Sequence, residues 1–99
     1  MKIPKEIRVG GIDYKIEHVK ESLDGINSEA TYAGRVMFKE HKILLLDSYP
    51  SEKQFKTLLH EIIHIIDEDL KIGIDEENIC RLETGLYQVL KDNKLLKEN

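Results

Sequence analysis

His60, Glu61 and His64 fall in the stretch TLLHEIIHIID, which spells H-E-x-x-H across residues 57–67. On an α-helix His60 and His64 lie about 40° apart around the axis, one turn from each other. Two imidazoles so placed can reach one ion, and zinc accepts nitrogen ligands at about 2.0–2.1 Å in a tetrahedron. Glu61 projects about 100° away from His60. That makes it a poor ligand for the same ion. It is well placed to take a proton from an attacking water, the general-base position of a metalloprotease. The bland alternative is a pair of histidines on a solvated helix face. Phe55, Leu59, Ile62, Ile63 and Ile66 define the main apolar face, with His60, His64, Lys53 and Thr57 nearly opposite. Leu58 and Ile65 widen the apolar arc, so the helix is expected to be covered from more than one side.

A third ligand is needed. The long zincin signature places a glycine three residues and a histidine or aspartate six residues after the second His; here Asp67 and Leu70 stand there. The alternative is a glutamate on the next helix. If an antiparallel hairpin turns near Gly73, the level partner of His64 falls near residue 82 and that of His60 near residue 86. Glu83 falls between them and is the expected ligand. Glu76 shares its edge of the helix but lies roughly 9 Å further down the axis, which makes it the second choice; Glu77 points away. Asp67 could orient His64 as an acceptor, but a solvated acid is the simpler reading. Tyr87 could donate to an oxyanion, but a half-buried packing tyrosine is simpler. His18 and His41 read as surface histidines and Cys80 as a small core residue.

The elements that must position these groups divide the chain into a strand-rich half, residues 1–50, and a helical half, residues 51–93. Gly10-Gly11 sits between short apolar stretches, a two-residue hairpin turn. Ile12, Tyr14 and Ile16 alternate with charged residues at the period of a half-buried strand. Residues 21–30 read as a loop, 31–38 as a third strand, and ILLLD as a fourth strand buried on both faces. Ser51 and Gln54 read as a capping box opening a helix over residues 52–69. Gly73 breaks the pattern. The acids of DEEN then favour a second helix start, with Ile79, Leu82, Leu86 and Leu90 at helical spacing and Asn93 as its stop. Both helices are expected to pack on the sheet.

Length and composition limit the classes of function. The 99 residues make one domain, α+β with a small antiparallel or mixed sheet followed by two antiparallel helices. With 40% hydrophobic and 34% charged residues the chain reads as soluble. No apolar run approaches the roughly 20 residues that span a bilayer, and no signal region is evident. The one cysteine fits the cytoplasm. A net charge of −4 without a basic patch disfavours nucleic acid as a partner.

TLLHEIIHIID followed by ETGLYQVLKDN resembles the small zincin-type metallopeptidase-like proteins of phages and mobile elements, which are similar to the ImmA/IrrE group of regulatory metalloproteases. The resemblance covers mainly residues 57–93. It implies a minimal zincin-like fold, with His60 and His64 as zinc ligands, Glu61 as general base and Glu83 as the downstream glutamate ligand. It also implies a protein substrate, a cytosolic regulator that is often a repressor. The leading expectation is therefore zinc-dependent peptide-bond hydrolysis. The alternative is a non-catalytic binding module that keeps the fold and docks a partner in the cleft between the helices and the strand containing Gly34. An intact Glu61 favours the enzyme; the small size of the chain favours the module.

Overall fold

Gly10 and Gly11 both take positive φ, 59° and 81°, the backbone that a two-residue hairpin turn with native twist demands. They join β1 (Glu6–Val9) to β2 (Ile12–Val19). The computed structural model describes residues 2–20 and 33–96; the expected loop over 21–30 lies outside them. The third strand, β3 (Gly34–Met37), is shorter than expected, and residues 31 and 32 of that expectation also lie outside the described set. A turn through His41, at φ 54°, leads into β4 (Lys42–Leu46).

The sheet is mixed, in the order β1-β2-β4-β3. Its two central strands, β2 and β4, run parallel, with Ile16 level with Ile43. One face is covered by α1 (Ser51–Leu70). Tyr14, Ile16, Ile43 and Leu45 from the sheet form one buried cluster with Leu58 and Ile65 from α1, and Ile62 packs on its margin. Each fully buried aliphatic side chain here contributes about 1.5–3 kcal/mol of transfer free energy. On the outer face Lys42 pairs with Glu17 at 3.0 Å, and Leu44 is only half-buried. β4 is therefore not buried on both faces as its run of apolar residues suggested, because among the described residues no helix covers the second face.

The second helix, α2 (Glu76–Asp92), packs on α1 and, among the described residues, on no strand. This corrects the expectation of two helices on the sheet. It also changes the buried stripe of α2. Ile79 and Tyr87 are buried, while Leu82 and Leu86 are about 45% exposed, at 44% and 45%. Helix periodicity identifies an apolar stripe but not which edge of it a single neighbour will cover. The capping box is absent too. Ser51 is already helical and Pro50 is the N-cap, while Gln54 donates its side-chain amide to the Tyr49 carbonyl at 2.8 Å. At the other helix the cap is Asp75, whose carboxylate accepts from the Asn78 amide at 2.9 Å, and Asn93 ends the helix as expected. Among the described residues no helix is long and apolar enough to cross a membrane.

α1 crosses β3 so closely that Gly34 has no room for a side chain. A Cβ there would meet the Thr57 methyl at 2.5 Å and the Leu44 carbonyl oxygen at 3.1 Å. Thr57, expected on the solvated side, is accordingly buried at 6% exposure. Gly85 on α2 is the opposite case, with open space around it. Gly34→Ala is expected to destabilise the fold by about 1–3 kcal/mol through overpacking. Gly85→Ala should stabilise it by about 0.5–1 kcal/mol through helix propensity. Urea unfolding followed by circular dichroism distinguishes the two; equal effects would mean that α1 does not lie against β3 as described.

Candidate metal centre

The two histidines meet over one carboxylate. Glu76 Oε1 lies 2.5 Å from His60 Nε2, and Glu76 Oε2 lies 3.2 Å from His64 Nε2. The two imidazole rings stand 4.9 Å apart, tilted by 63°. The other nitrogen of His60, Nδ1, faces Glu83 Oε1 at 3.0 Å. His60, His64 and Glu76 thus present one ligand atom each within 4.8 Å of one another. Glu83 reaches His60 alone, so the carboxylate placed between both imidazoles is Glu76.

Register explains the difference from level matching about Gly73. His64 pairs with Glu76, Phe55 lies 6.2 Å from Tyr87, and Glu52 receives Lys91 at 3.4 Å. These pairs are mirrored about Lys71, where the chain enters the left-handed region at φ 55°. Moving the mirror by two residues shifts every partner by one helical turn. Asp67 holds this turn. Its carboxylate accepts from the amides of Gly73 at 2.7 Å and Ile74 at 2.9 Å, and its carbonyl accepts from Ile72 at 3.2 Å. Asp67 is therefore neither a partner of His64 nor a solvated acid. It draws the connector back along α1 until Glu76 stands beside His64. Composition carried no sign of this; a carboxylate four residues before a left-handed turn is the signal that could have found it.

Glu61 is buried at 7% exposure. It lies under Gly34, where an added Cβ would stand 3.4 Å from its Oε2. Among the described residues it belongs to no cluster of metal donors, as its angle on the helix implied. Burial pushes its carboxyl up to about 7, His60 opposes this, and Glu76 and Glu83 add to it. Two hollows, both lined by Gly34, His60, Glu61 and Glu76, flank the His60–Glu61 pair. One, of about 240 Å³, includes Tyr49, Lys53, Cys80 and Glu83; the other, of about 320 Å³, includes Arg35, Val36, Phe38 and His64. Three carboxylates and two imidazoles here face few cations, a setting that favours a positive ion. Burial, with Glu76 and Glu83, raises the Cys80 thiol above its ordinary value. Cys80 is exposed, not a core residue, and sequence reading missed its place beside the site. Tyr87 packs on Phe55 and lines neither hollow. His18 and His41 are exposed, as expected.

Two outcomes follow from this geometry. Asp67→Ala removes two carboxylate–amide bonds and should cost about 1–3 kcal/mol, whereas Asp67→Asn keeps an acceptor and should cost less; equal losses in thermal unfolding would dismiss the clamp. For Glu61, the folded carboxyl keeps its proton to about pH 7, whereas the ordinary value is 4.5. The unfolded state thus binds fewer protons between these values, so metal-free stability falls as pH rises through that window. Glu61→Gln cannot ionise and should match wild type near pH 4.5 yet exceed it above pH 7, by about 1–3 kcal/mol. A pH-independent difference between them in urea unfolding would refute the buried-carboxyl account.

Compared with known proteins, the chain matches no family model, and no curated protein and no solved structure matches it significantly.

Proposed function

We propose that this chain is a zinc-dependent peptidase of zincin type that hydrolyses a peptide bond in a cytoplasmic regulatory protein. The observation that carries the reading is the convergence of His60 Nε2 and His64 Nε2 on Glu76, with Glu61 buried beside them. Two imidazoles and one carboxylate are the donor set of a catalytic zinc site that keeps a position open, so the residues present fit the ion. His60, His64 and Glu76 would hold it, and Glu83 takes the role of the acceptor that fixes His60. Bound zinc supplies a Lewis acid that polarises a carbonyl and lowers the pKa of water.

The chain's own residues do the rest. Glu83 accepts from Nδ1–H of His60, which leaves the Nε2 lone pair free for the ion and raises the basicity of the ring. Glu61 takes the proton of the attacking water and returns it to the leaving amine. Its carboxyl at about 7 suits both halves of that task near neutral pH. Among the described residues β3 has β4 on one side only. Its other edge offers backbone groups to an extended peptide, the strand-addition mode of recognition. That edge borders the hollow lined by Arg35, Val36 and Phe38. The regulatory, repressor-like class of substrate comes from the resemblance of the helical half to the ImmA/IrrE group.

Protein purified without a nickel step should carry about one zinc per chain, and His60→Ala or His64→Ala should lose it. Glu76→Gln should weaken zinc most, and Glu83→Gln by about 10–100-fold, the usual effect of losing an orienting partner. Glu61→Gln should keep zinc and fold while proteolysis drops by about 10²–10⁴-fold. Wild type and Glu61→Gln expressed side by side, with cytosolic fragments compared by mass spectrometry, provide the assay. Identical fragment patterns, with the biological effect surviving in the variant, would transfer the reading to a binding module.

A further inference from the structure

His60 belongs to two donor clusters. The first joins it to His64 and Glu76; the second joins it to Cys80 and Glu83, again with one ligand atom each within 4.8 Å of one another. Cys80 and Glu83 stand three apart on α2, which places them on the same side of the helix. The His60 nitrogen that faces Glu83 is Nδ1, at 3.0 Å. A tetrahedral ion with ligands at about 2.0–2.3 Å separates its donors by roughly 3.5 Å. The donors stand within about 1.5 Å of that spacing. Cys80 and Glu83 line the hollow of about 240 Å³, so an ion and a water have access.

We propose that Cys80, Glu83 and Nδ1 of His60 form a second site, for a thiophilic divalent ion such as zinc or cadmium, antagonistic to the first. A mixed sulfur, nitrogen and oxygen donor set excludes magnesium and calcium, which take oxygen ligands, and suits ions that accept thiolate. Binding removes one proton from the thiol and one from Nδ1–H, both released to solvent, so affinity rises with pH. It also takes Glu83 away from orienting His60. A ring that loses its acceptor holds the first ion less well, and the two ions share one imidazole. The second ion therefore binds more weakly and inhibits the reaction proposed above. Binding at the second site stands on its own donors; only its inhibitory effect rests on the peptidase reading.

The test is titration of the metal-free chain with cadmium, read by ultraviolet absorbance for the thiolate-to-metal band and by calorimetry for stoichiometry. Wild type should bind a first equivalent without the band and a second, weaker one with it. Cys80→Ser should keep the first and lose the second together with the band; Cys80 is exposed, so the fold tolerates the change. Glu83→Gln should weaken the banded equivalent. His64→Ala should lose the silent equivalent and keep the banded one. Absence of the band at every ratio, its appearance ahead of a silent equivalent, or two equivalents in Cys80→Ser would overturn the second site. A banded, Cys80-dependent equivalent without any silent one would overturn the first site and leave the second standing.

Discussion

The position of the groups that α2 brings to the candidate centre depends on one carboxylate, that of Asp67. Lys71 adopts a left-handed backbone that costs a non-glycine residue about 1–2 kcal/mol. The Asp67 carboxylate offsets it by accepting from the Gly73 and Ile74 amides, two bonds together worth about 1–3 kcal/mol. The connector then runs back beside α1, and α2 starts level with His64. Without that return Glu76 would stand a turn lower and no carboxylate would lie between the two imidazoles. The same register sets Tyr87 against Phe55 and Lys91 near Glu52, so α2 is held at both ends of α1.

α1 is the middle layer of the molecule, and this decides the chemistry of its side chains. Leu58 and Ile65 face the sheet, while the side toward α2 carries the two histidines. Glu61 falls where the helix, β3 and the cleft meet. The absence of a Cβ at Gly34 lets the helix approach β3 closely enough to bury that carboxyl without excluding it from the hollows. Burial then holds its proton to about neutrality. A buried acid in a small domain costs stability when it ionises. That cost and the poise expected of a general base have the same origin in desolvation.

Much of the fold was legible from local pattern. The Gly10-Gly11 hairpin, the alternation of Tyr14 and Ile16, the fourth strand and two helices separated near Gly73 all follow from turn chemistry and periodicity, which are properties of neighbouring residues. Errors gathered where a contact had to be chosen among equals. Ser51 and Gln54 satisfy the pattern of a capping box, yet Pro50 ends the extended segment one residue earlier. Leu82 and Leu86 satisfy the helical stripe, yet among the described residues α2 packs on α1 alone and turns Ile79 and Tyr87 toward it.

By itself the sequence determined that His60 and His64 share a helix edge and that Glu61 projects away from them, because 3.6 residues per turn permit nothing else. Only the tertiary structure decided which carboxylate meets the imidazoles. Glu76 and Glu83 share one edge of α2, and the selection between them turns on one helical turn of register. That register is set by Asp67 reaching across the connector to amides six and seven residues on. Such a bond forms only once the chain has reversed. Burial of Glu61 likewise needs β3 laid against α1, a contact between segments that no local spacing encodes. The joining of Cys80 to His60 also required the two helices to be brought together in space.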